Sequence, residues 1–296
     1  MLFRSENTND KLILVSHNDS QMRSNKEQSD VYEELEKEYP NMIERVLPFG
    51  VTLSETSYPE REKTFRSRSL LFLGIAVLIA DFKKLPIIIP ENGSVSLNYP
   101  LSASRRGACS TRTTHPTFIE MVNLLLNKLE LTSQISNPYE FNTKGEMVDR
   151  CQNKAFLKRI ISKSNSCGKK GHVVNRTFVN STHCGVCMPC TYRKASLINL
   201  HDNTSYGDDL NKEYSGKKQT TPFLLSKQGQ DINAMLDFLG KTLSKEDIKQ
   251  ELLVGGIKDF SKLDRYIDLV VRTRNELRNL VDKTCYLKER KLKAGI

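Results

Sequence analysis

Three closely spaced cysteines are the feature that most limits what this chain can fold into. Cys184, Cys187 and Cys190 form two Cys-x2-Cys pairs that share the middle cysteine, and sixteen residues separate Cys184 from Cys167. A tight turn at Gly185 would let three thiolates converge on one tetrahedral centre, and Cys167 would supply the fourth ligand. The spacing therefore predicts a metal site of four cysteines, with zinc as the default ion.

Other interpretations of these cysteines stay open. An iron–sulfur cluster of the ferredoxin type has a further cysteine followed by proline, whereas Thr191 follows Cys190 here. Unligated thiols are the second alternative. His172 and His183 are spare ligands, although a solvated or hydrogen-bonded histidine is the favoured interpretation of each.

The N-terminal sequence MLFRSENTND has no basic flank followed by an apolar run, so we expect no export signal and a cytoplasmic location. Residues 70–80 form the longest apolar stretch, which is about half of the roughly 20 residues that a membrane-spanning helix needs. In 296 residues, 38% are hydrophobic and 27% are charged, as is typical of globular proteins. We therefore expect a folded cytoplasmic protein with no membrane partner.

The net charge of +10 favours a phosphate-rich partner, which could be a nucleic acid, a nucleotide or an anionic surface. Tryptophan is absent and aromatic residues make up only 7%, which disfavours a platform for base stacking. Near the cysteines, basic charge is confined to Arg193 and Lys194. The sequence therefore disfavours direct nucleic-acid binding.

Short apolar runs alternate with helical patterns over the first two hundred residues. Residues 11–16, 45–53 and 87–89 are typical of strands buried on both faces. Helical patterns occupy residues 30–39, 66–80, 116–131 and 146–161. This alternation predicts an α/β fold with a parallel sheet and right-handed crossovers.

Two of these helical patterns predict which side chains are buried. Residues 66–80 are apolar nearly all round, which predicts a buried helix. The pattern over residues 116–131 predicts an amphipathic helix. Its predicted apolar stripe consists of Phe118, Met121, Val122, Leu125 and Leu129.

The composition changes after residue 200. Residues 202–221 are polar and lack periodicity, which predicts a linker or surface loop. Helical patterns follow at residues 231–243 and 259–281. We therefore expect an α/β domain over residues 1–200, with its zinc site at 167–190, and a linker with a helical extension over residues 201–296.

Basic residues stand where a helix would begin. Arg66 and Arg68 lie at the start of the buried helix, where free backbone N–H groups favour an anion. Lys144 precedes another helix and is a further anion candidate. Solvated arginines and an ordinary helix cap are the alternative interpretations.

A polar loop follows the strand predicted at residues 87–89. Glu91 and Asn92 begin this loop, and Arg112 lies near its end. Ligands of open α/β sheets bind beyond the carboxyl ends of the strands. We therefore expect a site for a polar ligand here.

Several segments follow one another in a recognisable order. They are FRSRSLLFL from Phe65, ENG from Glu91, RTTHP from Arg112, NP from Asn137, KGEM from Lys144, Cys167, HCGVCMPC from His183, and Arg193. Together they resemble the 7-cyano-7-deazaguanine synthase family, and within it the divergent branch found in Qat-type antiphage defence systems. The resemblance covers residues 11–195 and extends only loosely to the helical extension.

The resemblance implies an adenine-nucleotide α-hydrolase-like fold and an ATP-dependent ligase. Family members use ATP, with Mg²⁺, to adenylate the carboxylate of 7-carboxy-7-deazaguanine; ammonia then displaces AMP, and the synthase proper activates the amide again to leave a nitrile. The four cysteines would be a structural zinc site. Arg66, Arg68, Glu91 and Asn92 would line the nucleotide and deazapurine pocket, and other defence-system proteins would be partners.

One departure from the family concerns the phosphate loop. The family's first strand is followed by Ser-Gly-Gly-x-Asp-Ser, whose backbone N–H groups hold pyrophosphate. No such segment occurs here, and Gly255–Gly256 lies between helical segments of the extension. We therefore expect an N-terminally incomplete enzyme whose catalysis is impaired. The rival hypothesis is a non-catalytic, zinc-stabilised subunit that binds a deazapurine or a partner protein.

Overall fold

In the part of the chain that the structure describes, the strands are short and lie in two parallel pairs. The computed structural model describes residues 11–17, 25–45, 68–102, 112–169, 177–213 and 221–296. Within these ranges the strands are β1 (Leu12–Leu14), β2 (Ile43–Arg45), β3 (Ile87–Ile88) and β4 (Ile135–Ser136). β1 pairs with β2, with Leu12 opposite Ile43, and β3 pairs with β4, with Ile87 opposite Ile135.

Helices make up most of the described structure. They are α1 (Asn25–Glu38), α2 (Arg68–Lys83), α3 (Gly93–Ser96), α4 (Pro116–Lys128), α5 (Lys144–Asp149), α6 (Lys154–Ile160), α7 (Met188–Ser196), α8 (Gln230–Gly240), α9 (Lys245–Val254), α10 (Leu263–Thr284) and α11 (Lys288–Lys293). Among them, none combines the length and the apolar character that crossing a bilayer requires. The fold is mixed α/β and mostly helical, which confirms the α/β class expected from the sequence.

The predicted elements differ from the observed ones mainly at their ends. β1 and β3 lie inside two predicted strands, whereas β2 begins before the run at residues 45–53, most of which lies outside the described residues. The helix predicted at residues 146–161 is interrupted. Asn153 caps a new helix there, because its side chain accepts a hydrogen bond from the Phe156 N–H at 2.9 Å.

The prediction that α2 is buried all round is wrong for its outer face. Leu73 and Ala80 are buried in a core shared with β3, β4 and α4, but Leu78 is 71% exposed and Phe82 is 86% exposed. Within the described part of the chain, one side of the helix packs and the other does not. An apolar composition all round therefore did not indicate complete burial.

The apolar stripe predicted for α4 is only partly right, since Val122 is buried but Met121 and Leu125 are not. The side chains that α4 buries are Ile119, Val122 and Leu126. Met121 and Leu125 are exposed, at 60% and 49%. Compared with the prediction, the helix is rotated about its axis, so that the row of Ile119, Val122 and Leu126 contacts β3 and β4.

The largest hydrophobic core surrounds the cysteines and is completed by the C-terminal helices. Cys187 and Cys190 share it with Met235 of α8, Leu252 of α9 and Leu277 of α10. Leu269 and Leu277 are fully buried. The helical extension therefore supports the cysteine segment directly.

Candidate metal centre and adjoining cleft

The four predicted cysteine ligands come together in the structure. The Sγ atoms of Cys167, Cys184, Cys187 and Cys190 all lie within 4.8 Å of one another, and those of Cys184 and Cys190 are 3.9 Å apart. Zinc–sulfur bonds of about 2.3 Å place tetrahedral sulfurs about 3.8 Å apart. The cluster can therefore hold a metal ion such as zinc.

A glycine turn brings Cys184 and Cys187 to the same centre. Gly185 has a φ of 82°, in the left-handed region that favours glycine. Lys194 of α7 fastens this turn, since its Nζ donates to the backbone carbonyls of Gly185 and Asp208, each at 3.0 Å. The turn expected at Gly185 is thus present and is tied to the segment that follows α7.

Backbone N–H groups already point at two of the sulfurs. The Cys184 N–H donates to Cys167 Sγ and the Cys187 N–H donates to Cys184 Sγ, both at 3.3 Å. Such bonds orient thiolate ligands and offset part of their negative charge. The hydrogen bonds that Cys167 accepts from the thiols of Cys184, Cys187 and Cys190 hold its own pKa well below the ordinary value.

His183 lies beside the cluster but is engaged elsewhere. It is buried, its Nε2 accepts a hydrogen bond from the Ser166 N–H at 3.2 Å, and its Nδ1 lies 3.0 Å from Thr182 Oγ1. Both ring nitrogens are therefore occupied, as in the hydrogen-bonded interpretation. His172 lies outside the described residues.

Arg193 anchors the cysteine helix to its surroundings. It is buried, and its guanidinium donates to Ser164 Oγ at 2.9 Å and to Thr204 Oγ1 at 2.8 Å. It also lies 4.0 Å from Asp202. These contacts join α7 to the segment before Cys167 and to the segment after α7. They therefore fix the positions of the metal-binding segments relative to one another.

A cleft of about 510 Å³ adjoins the metal centre. Its walls come from the loop after β3, from the start of α5 and from the cysteine segment. The lining includes Glu91, Ser94, Lys144, Ser166, Pro189 and Tyr192. Two residues predicted as ligand-binding, Glu91 and Lys144, therefore line one cleft.

The charges of Glu91 and Lys144 are partly buried in this cleft. Burial raises the pKa of the Glu91 carboxyl, and the positive charge of Lys144 opposes that shift. Burial likewise lowers the pKa of the Lys144 ammonium, against the opposing effect of Glu91. Within the described residues, no hydrogen bond or ion pair reaches the Lys144 Nζ.

Asn92 does not line the cleft but donates hydrogen bonds to Glu91, which does. Its backbone N–H and its side-chain Nδ2 donate to Glu91 Oε1 at 2.9 and 2.6 Å. Its Oδ1 caps α3 by accepting from the Val95 N–H at 3.0 Å. One oxygen of Glu91 is thereby fixed, and within the described residues no hydrogen bond occupies Oε2.

Of the three predicted arginines, only Arg112 has a described side chain, and it does not line this cleft. Arg112 donates to the Gly255 carbonyl in the turn after α9. Arg68 is the first residue of α2, and its side chain lies outside the description, as does the whole of Arg66. The structure therefore places Glu91 and Lys144 in one cleft. Asn92 hydrogen-bonds Glu91, and Arg112 contacts the turn after α9.

The sequence did not predict that α10 contacts the elements that form the cleft walls. Thr273 Oγ1 lies 2.6 Å from Ser94 Oγ, and Glu276 accepts a hydrogen bond from Thr143 at the start of α5. The helical periodicity of residues 259–281 predicted a helix, but it contained no signal of what the polar side chains on that helix would touch.

Comparisons of the chain with protein-family models, with curated proteins and with solved structures found no match.

Proposed function

We propose that this protein binds a 7-deazaguanine carboxylate in the cleft between Glu91 and Lys144. The observation that carries the proposal is a pair of opposite, partly buried charges that line one cleft while, within the described residues, no ion pair joins them. Buried charges are costly unless they find partners. A ligand that carries both an N–H edge and a carboxylate would supply a partner to each.

The chemistry of the ligand matches the chemistry of the cleft. The free oxygen of Glu91 can accept a hydrogen bond from a guanine-like N–H edge, while Lys144 can pair with a carboxylate. Tyr99 and Tyr192 also line the cleft and offer aromatic surface to a planar heterocycle. The resemblance to the 7-cyano-7-deazaguanine synthase family supports this ligand class.

We further propose that the four cysteines hold a structural zinc ion. Four protein ligands complete a tetrahedral shell and leave no open position for a substrate. Three of the four cysteines are buried in the core. The ion would stabilise the segments that carry Ser166 and Tyr192, which line the cleft.

The same resemblance supports an ATP-dependent reaction, in an adenine-nucleotide α-hydrolase-like fold and in antiphage defence. With ATP and Mg²⁺, an oxygen of the ligand's carboxylate would attack the α-phosphorus and pyrophosphate would leave. Ammonia would then displace AMP to give an amide. Arg66 and Arg68 are the proposed cations for the phosphates, since adenylation needs positive charge there.

The second candidate function is binding without turnover. It is favoured by one sequence observation, the absence of the Ser-Gly-Gly-x-Asp-Ser segment that holds pyrophosphate in the family. Release of pyrophosphate on mixing the protein with ATP, Mg²⁺, ammonium and 7-carboxy-7-deazaguanine decides between the two candidates. Release supports the ligase, whereas binding of the deazapurine without release supports the binding subunit.

Calorimetric titration with 7-carboxy-7-deazaguanine tests the ligand assignment. Lys144→Met should weaken binding about tenfold to a hundredfold, because a hydrogen bond to a charged group contributes about 1.5–3 kcal/mol. Lys154→Met is the matched control, since Lys154 is also the first residue of a helix but is exposed. Equal affinity in both variants would contradict the proposal, and so would absence of binding to the wild-type protein.

A further inference from the structure

Helix α10 touches both walls of the cleft. Thr273 Oγ1 lies 2.6 Å from Ser94 Oγ, in the helix that follows Glu91. Three residues further along α10, Glu276 accepts a hydrogen bond from Thr143 Oγ1, and its Oε2 lies 3.3 Å from the Gly145 backbone nitrogen. Residues three apart share one helix face, so a single face of α10 spans the two walls.

Glu276 fits a space that a glycine leaves open. A Cβ atom built on Gly145 would lie 2.5 Å from Glu276 Oε1, which is closer than real side chains approach. The Glu276 side chain is partly buried, and burial raises the pKa of its carboxyl although Thr143 and Gly145 donate to it. The contact is therefore close and largely shielded from water.

The element that Glu276 holds is too short to define its own position. α5 has six residues, and Lys144 is the first of them. Helices of this length are not stable in isolation, so their placement depends on tertiary contacts. A second contact comes from Arg272, which pairs with Glu146 of α5. The start of α5 is thus held on both sides of Gly145 by residues of α10.

We propose that Glu276 is a positioning residue that sets the place of Lys144 in the cleft. It acts through Thr143 and Gly145, the neighbours of Lys144 in sequence. The proposal rests on the proposed function, since Lys144 is there the partner of the ligand's carboxylate. It extends the ligand site to a helix in residues 201–296, outside the range covered by the family resemblance.

Amine labelling of Lys144 tests this positioning without any ligand. Peptide mass spectrometry after brief acetylation of the full chain gives the labelling rate of Lys144, with exposed Lys154 as an internal reference. Glu276→Ala should raise the Lys144 rate several-fold, because the start of α5 loses its contact. Glu276→Gln keeps the shape of the side chain and an accepting oxygen, so its Lys144 labelling rate should stay within about threefold of the wild-type rate. Asn275→Ala, at an exposed neighbour on α10, should change nothing.

Calorimetric titration with 7-carboxy-7-deazaguanine supplies the second readout. Glu276→Ala should weaken binding at least tenfold, and Glu276→Gln should restore most of the affinity. If Glu276→Ala does not fold, Glu276→Asp replaces it. Its shorter side chain should also raise the Lys144 labelling rate and weaken ligand binding, but by smaller factors. Unchanged labelling in a folded Glu276→Ala or Glu276→Asp protein would overturn the positioning role, and so would a Glu276→Gln protein that behaves like Glu276→Ala. Absence of ligand binding by the wild type would contradict only the proposed function, because the labelling still decides the role of Glu276.

Discussion

Gly185 lies directly against the backbone carbonyl of Asp208. A Cβ atom at position 185 would stand 1.9 Å from that oxygen, and the φ of 82° already favours glycine. The Asp208 N–H also donates to the Cys184 carbonyl at 3.0 Å, so the two segments approach as closely as backbones can. The turn that gathers the cysteines therefore depends on a residue without a side chain.

Gly185→Ala should lower the free energy of unfolding by more than about 2 kcal/mol, since left-handed backbone strain adds to the steric contact. Gly74→Ala is the matched control. Gly74 lies in α2, and among the described residues no atom outside its own helical turns lies within 4 Å of its Cβ position, so alanine should be neutral or stabilise by up to about 1 kcal/mol. Denaturant unfolding of the three proteins measures both effects. Equal stability of the two variants would contradict this account of the turn.

The protein should contain one equivalent of zinc, and Cys187→Ser should lose it. Loss of a structural zinc ion removes folding free energy directly, so this variant should also melt at a lower temperature and be poorly soluble. Cys151→Ser is the control, because Cys151 lies outside the four-cysteine cluster. Elemental analysis together with thermal denaturation gives both results. Iron in place of zinc, or a folded wild-type protein without metal, would show that the assignment is wrong.

His115 should make the protein less stable in mild acid. Burial, together with the nearby charge of Arg112, lowers the pKa of His115 to about 4 from the ordinary 6.5. Between pH 4 and pH 6.5, His115 is therefore mostly protonated in the unfolded chain but mostly neutral in the folded protein. Stability is lost as the pH falls below 6.5, by about 2 kcal/mol at pH 5.

The difference in unfolding free energy between wild type and His115→Gln measures this effect. From pH 8 to pH 5, the unfolding free energy of the variant minus that of the wild type should rise by about 2 kcal/mol, whatever this difference is at pH 8. Metal release and carboxyl titration affect both proteins alike and cancel in the difference. A difference that does not change with pH would contradict the assignment to His115.

Arg112→Ala should leave ligand affinity within about threefold of wild type. The Arg112 side chain reaches the Gly255 carbonyl rather than the cleft, and Thr117 bonds the next carbonyl, that of Gly256, at 2.6 Å. The loss should instead appear as about 1 kcal/mol in unfolding free energy. Calorimetric titration and denaturant unfolding separate the two effects. A tenfold loss of affinity at unchanged stability would place Arg112 in the binding site.

The cysteine cluster was predictable because its ligands are close in sequence and their spacing follows from tetrahedral geometry. The mixed α/β class was predictable from alternating apolar runs. The rotation of α4 was not, since Leu125 and Leu126 are equally apolar and only the packing against β3 and β4 selects Leu126. Tertiary contacts decide which of two adjacent apolar rows is buried.

Helix α9 shows a local signal that sequence reasoning overlooked. Ser244 accepts from the Asp247 N–H, and Asp247 accepts from the Ser244 N–H, which is a reciprocal cap readable from the sequence. The contact between Thr143 and Glu276 has no such signal, because the two residues are 133 positions apart. Nothing local in either segment indicates the other.

A crystal structure of the protein grown with 7-carboxy-7-deazaguanine would show whether the cleft binds this ligand. We expect ligand density in the cleft beside the four cysteines, with the ligand's carboxylate within hydrogen-bond distance of Lys144 Nζ and its N–H edge on Glu91 Oε2. An empty cleft at saturating ligand, or a ligand bound elsewhere on the chain, would contradict this expectation.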